Sequence, residues 1–389
     1  MERHEFRMPD YYPGFACKMG ACRNACCTGW PVSLSLADYF RITGAECSAE
    51  LREKIDRGVQ TVLEPTPERY ASMRHDYSGN CYLRMEDGRC ALHAQLGENV
   101  LADVCRLYPR GVRKEADGLE ISCANSCEAV IEAFLEREAP LTFLTRTEEL
   151  RLPPHAERKV FFETHGHQWE VRHSLIRTMQ DRTMSIPERL AALKARLEEL
   201  TRAMESGEEA VLGWLNAPRT GTPERNAAID RESMRRGLAL AERFIERLDE
   251  RSDAVRAYGE TALGVFGSAD ENALERYLAA ERKFEAALPL WETVFEHMLV
   301  NHMFFICFPF EDRPEDLKNE FTALCVVYSL LRFLAVGNAE ACTSSRDFAD
   351  LFAAVFRLVE HTSFDILSVR LLEELGAVHD AGADPLLSL

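Results

Sequence analysis

Ten of the thirteen cysteines precede residue 130, and nine of them fall into spaced groups. The groups are Cys17-x4-Cys22-x3-Cys26-Cys27, then Cys81-x8-Cys90-x14-Cys105, then Cys123-x3-Cys127. Thiolate is a soft ligand that selects zinc, Cu(I) or iron–sulfur clusters. A tetrahedral zinc site and a [4Fe–4S] cluster each take four such ligands. The nine therefore serve either one site with spare thiols or two sites. The adjacent thiols of Cys26 and Cys27 do not easily reach one tetrahedral ion, so one is buried or each faces a different centre. Cys47, Cys307, Cys325 and Cys342 stand apart and read as small packed hydrophobes.

The redox setting decides between ligation and disulfides. The start, Met1-Glu2-Arg3-His4-Glu5-Phe6-Arg7, has no apolar signal stretch. The apolar run from Phe321 to Val336 contains Arg332 and reads as too short and too broken to span a membrane. A cytoplasmic location is expected, and a reducing cytosol favours ligation over disulfides.

Composition changes near Pro140, where the main boundary is expected. The reading is mainly α: a small irregular cysteine-rich domain over 1–140 with short hairpins, then a helical bundle over 141–389. One hairpin is predicted from Tyr82–Met85 and Cys90–Leu92 around Asp87-Gly88. A second is predicted from Val112–Lys114 and Leu119–Ser122 around Asp117-Gly118, since Asp-Gly is a strong turn signal. Lys159–Glu163 reads as a strand and Asn216–Thr222 as a loop. Ser185-Ile186-Pro187-Glu188 is a capping box. Ile186, Leu190, Leu193, Leu197, Leu200 and Met204 follow it on one stripe. Further helices are expected at about 227–250, 271–287, 290–306, 314–336, 346–360 and 364–375. Gly337 and Gly376 read as stops.

The formal charge is −18. Sequence-independent nucleic-acid binding rests on phosphate neutralisation, so this chain is a poor fit for it. The same charge suits a cationic, lysine-bearing partner. The Glu and Arg runs in 188–205 and 242–256 read as solvated helix faces. There is no serine-nucleophile elbow, phosphate loop or zinc-protease helix motif. Gly264-Val265-Phe266-Gly267 lacks the strand and helix a dinucleotide loop requires. His165, His167 and His173 read as exposed. His297 and His302 are five apart and do not share a helical face. His93 is kept as an accessory ligand.

Pro9-Asp10-Tyr11-Tyr12, followed by Phe15-x-Cys17-x4-Cys22-x3-Cys26-Cys27-x-Gly29-Trp30, resembles the start of the bacterial flagellin lysine N-methylases. Cys81-x-Leu83, Cys90-x-Leu92-His93 and Cys105-Arg106-x2-Pro109-Arg110 are similar to the wider zinc- or iron-chelating cysteine-cluster family. Glu292–Phe310, ending Cys307-Phe308-Pro309-Phe310, is similar to the methylases' helical part. The resemblance implies an enzyme that moves methyl groups from S-adenosylmethionine to flagellin lysines. It also implies a cysteine-held iron–sulfur cluster, with zinc as the alternative metal. The first choice of ligands is Cys22, Cys26, Cys81 and Cys105, with Cys17, Cys27, Cys90, Cys123 and Cys127 as the remaining set. No Rossmann fingerprint is present, so the donor pocket is of another kind. Methyl transfer needs a neutral amine and a home for a sulfonium, which aromatic faces and carboxylates suit. Tyr11 and Tyr12 are the catalytic candidates, and Trp30, Tyr82, Asp103 and Tyr108 the donor-binding ones. Core packing is the competing reading for each aromatic. The rival function is a non-enzymatic metal-chelating domain on a helical partner-binding scaffold.

Overall fold

The computed structural model describes residues 2–23, 26–28, 32–115, 117–150, 152, 164–217, 230–248, 253–268, 270–310 and 317–374. Helices dominate, as the periodicity predicts, and among the described residues the short strands lie within the first 150 positions. The chain divides into two compact units. One comprises 1–13, 112–126 and 130–389, and the other 14–111 with 127–129. The division thus falls elsewhere than position 140.

The reason lies in a strand the sequence reading did not contain. Glu2–Pro9 pairs antiparallel with Phe143–Leu150, from Glu2 opposite Leu150 to Pro9 opposite Phe143. It also runs parallel to Gly118–Cys123. The four-stranded order is Arg110–Glu115, Gly118–Cys123, Glu2–Pro9, Phe143–Leu150. Phe6 and Met8, two apart, both reach the core, as strand alternation requires. Pairing between residues some 140 positions apart carries the first strand into the larger unit.

The predicted hairpin around Asp117-Gly118 is present as Arg110–Glu115 and Gly118–Cys123. The one around Asp87-Gly88 is half right. Its turn forms, with Met85 N donating to Arg89 O at 2.8 Å and Gly88 at φ +82°. Its second arm is instead the helix Ala91–Leu96, which begins directly after Cys90. Gly20 explains part of this: a Cβ there or on Gly88 would strike the other's backbone segment, so the two glycines allow close approach.

The predicted helices appear as Ile186–Ser206, Arg231–Arg247, Ala273–Ala287, Trp291–Phe305, Leu317–Gly337, Ser345–His361 and Phe364–Glu374. The capping box holds, with the Glu188 carboxylate accepting from Ser185 N at 2.7 Å. Gln168–Met179, Glu208–Asn216 and Asp253–Phe266 are additional helices. Gly264 to Phe266 is the last turn of one of them, so the fragment there is no phosphate loop. Gly337 closes its helix, but its function is contact: a Cβ would overlap Ala262 of the helix Asp253–Phe266. Leu317–Gly337 is long and apolar enough to cross a membrane, contrary to the expectation of a run too short to do so. Its apolar window is wholly buried in the protein, as a core helix. The proposed strand Lys159–Glu163, the stop at Gly376 and most of the loop Asn216–Thr222 lie outside the described residues.

Buried ion pairs fasten the larger unit. Arg172, fully buried on Gln168–Met179, donates Nη1 to both Glu120 oxygens at 2.9 Å and Nη2 to Phe304 O at 3.2 Å. Arg7 reaches the same Glu120 at 3.1 Å. Glu296, also buried, accepts from Arg182 and from Arg189, each at 2.8 Å. Each pair joins elements distant in sequence, and the charges satisfy one another where water is excluded.

His297 sits beside the second network. Its Nε2 lies 2.9 Å from Ala139 O, while its buried Nδ1 has no partner. Burial pushes its pKa down to about 4, against the pull of Glu296 and with the help of Arg137 and Arg182. Phe134 supplies an apolar wall at 5.8 Å. A depressed histidine is neutral when folded, whereas the unfolded chain takes a proton below about pH 6.5. Stability is therefore full above that pH and declines as pH falls towards about 4. The expected loss is up to about 3 kcal/mol. Denaturant titrations at pH 7 and near pH 4.5 should show a smaller decline in His297→Gln than in the parent. Equal declines would remove His297 as the cause.

Candidate functional site

The smaller unit carries most of the cysteines. A three-stranded antiparallel sheet, ordered Val32–Leu34, Ala71–Met73, Val59–Thr61, packs with the helices Leu36–Thr43 and Ala49–Gly58. Leu34, Ile42, Leu51, Ile55, Ala71 and Leu92 form its core, and Cys27, Cys47, Cys81 and Cys90 lie in or against it. So the thiols border a true apolar core and do not replace one.

Among the described residues no two cysteines are joined in a disulfide. The clustered ones sort into groups by their electrostatic neighbours. Burial, then Cys90, Cys81 and Cys27, push Cys105 up to about 12. Burial, then Cys90 and Cys27, do the same to Cys81, also to about 12. Cys27, Cys81, Cys90 and Cys105 thus share one neighbourhood. The backbone fixes part of it: Cys81 N donates to Cys27 O at 2.9 Å, and Arg84 bridges to Cys90. Cys26 is raised by a hydrogen bond with Cys27, burial and the nearby Cys27, Cys105 and Cys17.

Cys22 belongs elsewhere. Burial, Glu128, Cys127 and Cys17 raise it to about 11, against Lys18. Glu128 is buried and holds Lys18 Nζ at 2.6 Å and Arg23 N at 2.9 Å. Cys123 is in the larger unit and is fully buried at the end of its strand. The set Cys22, Cys26, Cys81 and Cys105 is therefore divided between neighbourhoods. Among the described residues, no three histidine, cysteine or carboxylate side chains stand close enough together to hold one metal ion.

The donor-binding candidates fall into structural positions. Asp103 accepts from Arg41 at 3.1 Å and Arg106 at 3.2 Å, and its own N–H donates to Asp38 at 3.1 Å. This ties Leu36–Thr43 to Asp103–Leu107 and so fixes the helix bearing Cys105. Tyr82 is half-buried, with the Arg74 guanidinium 5.5 Å from its ring. Tyr108 is half-buried just after Asp103–Leu107. Trp30 lies outside the described residues. His93 stands half-buried on Ala91–Leu96. His173 stacks on Trp169 at 5.0 Å, and His167 faces Glu208 at 3.7 Å; all three histidines of that stretch are half-buried rather than exposed.

The larger unit holds a second assembly of polar groups. Tyr11 Oη donates to Asn301 Oδ1 at 2.7 Å and accepts from Cys123 N at 3.2 Å. Asn301 Nδ2 donates to Cys123 O at 2.9 Å and Asn125 Oδ1 at 2.7 Å. Asn125 donates to Met298 O at 2.8 Å. Burial raises the Tyr11 phenol well above its ordinary range, so it stays protonated and acts as a donor. That suits holding the site in place better than accepting a proton. Tyr12 is buried in the turn Tyr12–Gly14.

Next to this lies Glu360, whose side chain is fully buried. One oxygen is 3.2 Å from His302 Nδ1, and the other accepts from Ser126 N at 3.2 Å. Ser126 Oγ is 2.7 Å from His361 Nε2. Burial raises the Glu360 carboxyl. His297 and His302 do have separate partners, as their spacing predicts. The sequence reading missed Asn301, Asn125, Ser126 and Glu360. The one available signal was Asn301-His302 inside the apolar helix Trp291–Phe305, since buried polar groups imply partners. The small apolar cleft lined by Phe244, Ile245, Leu330 and Phe333 includes none of these residues.

The FliB lysine N-methylase C-terminal domain family matches residues 172–377, over half of the chain. The matched span contains Asn301, His302, Glu360 and His361. The lysine-N-methylase of Salmonella choleraesuis is 23% identical over 128 residues, covering 33% of this chain and 31% of that protein. The lysine-N-methylase of Salmonella typhimurium matches with the same figures. The flagellar biosynthetic protein FliU of Salmonella muenchen is 23% identical over 128 residues, covering 33% of this chain and 75% of that protein. The chain thus spans about a third of the length of the two lysine-N-methylases it matches. No solved structure matches.

Proposed function

Because the chain belongs to the FliB lysine N-methylase family, we propose that it methylates lysine side chains, with S-adenosylmethionine as donor and flagellin as substrate. The family match over 172–377 carries this reading. The flagellar name of one relative supports a flagellar substrate. The acidic charge of the chain favours a lysine-bearing partner.

The reaction sets two demands. Lysine has an ordinary pKa near 10.4, so at neutral pH the ammonium must lose a proton before its nitrogen can attack. The methyl carbon must then lie in line between that nitrogen and the sulfonium sulfur. Tyr11, Asn301 and Asn125 lock the Cys123–Ser126 segment against the helix Trp291–Phe305, giving that side of the unit a fixed geometry.

The reading includes a cytoplasmic location and a cysteine-held metal centre, an iron–sulfur cluster with zinc as the alternative. Cys27, Cys81, Cys90 and Cys105 fit such a group by donor chemistry, but among the described residues they do not stand close enough together to hold one ion. Ligation requires these thiols to close in, which couples metal binding to the folding of their unit. The group would supply cross-links between the segments carrying them.

Anaerobically purified protein, given methyl-labelled S-adenosylmethionine and flagellin, is expected to place label on lysines. Absence of any labelled lysine would overturn the reading. A metal-chelating module without methylase activity is the second reading, favoured because eight of the nine clustered cysteines fall in one compact unit. Metal binding without measurable donor affinity by calorimetry would select it.

A further inference from the structure

We propose that the buried pair of Glu360 and His302 is the proton-accepting centre of the methyl transfer, a role that rests on the lysine-methylase reading above. Both residues lie within one compact unit and within the span matched by the family.

The geometry is that of a carboxyl without a fixed cation. Among the described residues Glu360 has His302 as its sole ion-pair partner, at 3.2 Å, and no lysine or arginine neutralises it. The buried Glu120, Glu128 and Glu296 each hold an arginine or lysine. Burying an ionised carboxylate without such a partner is costly, and groups of this kind concentrate at functional sites. Phe356, 5.5 Å from the His302 ring, closes one side of the pair. Tyr11 stands close enough to feel the Glu360 charge.

Ser126 lies behind the pair. His361 is exposed, and its Nε2 is 2.7 Å from the Oγ of the fully buried Ser126. The N–H of the same Ser126 holds Glu360. Arg357 is the charged group that acts on His361. Burial raises the Glu360 carboxyl, which makes its carboxylate a better proton acceptor than an exposed one.

The step balances as follows. A lysine Nζ–H bond breaks and its proton passes to a Glu360 carboxylate oxygen. The freed nitrogen lone pair forms the new N–C bond to the methyl carbon. The C–S bond breaks with its electron pair left on sulfur, so the sulfonium becomes a neutral thioether. The product amine carries the positive charge, and the proton taken by Glu360 is held between Glu360 and His302 Nδ1, 3.2 Å away.

The test compares the full chain with Glu360→Gln and Glu360→Asp, using S-adenosylmethionine and flagellin across about pH 6 to about pH 10. Glutamine keeps an oxygen for the Ser126 N–H but takes no proton. The expected result is a kcat lower by about 100-fold or more near neutral pH with KM for flagellin changed little. The deficit should shrink as pH nears the lysine pKa of about 10.4, where substrate is already neutral. Glu360→Asp should recover part of kcat with a displaced pH profile. A Glu360→Gln kcat equal to the parent, or a deficit of one size at every pH, overturns the proposal. Should Glu360→Gln fail to fold, the profile of Glu360→Asp decides: displacement supports the role and an unmoved profile overturns it. A parent protein that transfers no methyl sinks the methylase reading itself; an active parent with an equally active Glu360→Gln sinks this role alone.

Discussion

Replacing Arg172 with methionine is expected to cost the larger unit about 3–5 kcal/mol, because removing one partner of a buried ion pair leaves the other charge stranded. Methionine fills much of the arginine's volume, so the loss reports the charge more than a void. Glu120 would remain buried with only Arg7, at 3.1 Å, to offset it. Phe304 O would lose the donor at 3.2 Å that joins the helix Trp291–Phe305 to Gln168–Met179. Glu120 lies on the strand between Glu2–Pro9 and Arg110–Glu115, so the sheet shares the damage. Denaturant unfolding of Arg172→Met against the parent measures it. A loss below about 1 kcal/mol, the size of a surface pair, would show that the network is dispensable. The double variant Arg172→Met, Glu120→Gln should regain part of the stability, since neutralising both partners removes the stranded charge.

The second large effect concerns the thiols. Serine at any one of Cys27, Cys81, Cys90 or Cys105 is expected to reduce bound metal from stoichiometric to background, because a four-ligand soft centre does not tolerate a weak hydroxyl ligand. The unit spanning 14–111 should lose protection from proteolysis with it, as metal affinity is folding free energy for such a unit. Cys123→Ser, in the other unit, should retain the metal. The measurement is metal and sulfide content of anaerobically prepared variants, paired with limited proteolysis. Full metal content in Cys90→Ser together with its loss in Cys123→Ser would reverse the assignment. A visible absorption band in the parent separates an iron–sulfur cluster from zinc, which has no d-electron colour.

Much of the fold was legible from sequence. The stripe from Ile186 to Leu200 is a local pattern and buries as its period predicts, while Met204, its last member, is half-buried. The turn at Asp87-Gly88 was legible as well, but not what followed, because Cys90 begins a helix and a short apolar run suits either element. The missed helices Gln168–Met179 and Asp253–Phe266 have mixed faces, with Arg172 in the core of one and Gly259 against Ile245 in the other. Of the site, the sequence pointed to Tyr11 and the thiols. It could not show Glu360, which reads as one more charge at a helix end.

By itself, then, the sequence determined the local and chemical facts: which segments are helical, that soft ligands crowd one region, and the family the residues resemble. Only the tertiary structure decided which distant groups meet. Glu2–Pro9 joined Phe143–Leu150, and so took the N-terminus into the helical unit. Cys22 parted from Cys81 and Cys105, and Tyr11 met Asn301. The physical reason is that helix periodicity is set within a few turns of chain. Strand register, thiol grouping and buried charge pairing depend on bringing together segments that lie tens of residues to more than a hundred apart, which no local pattern encodes.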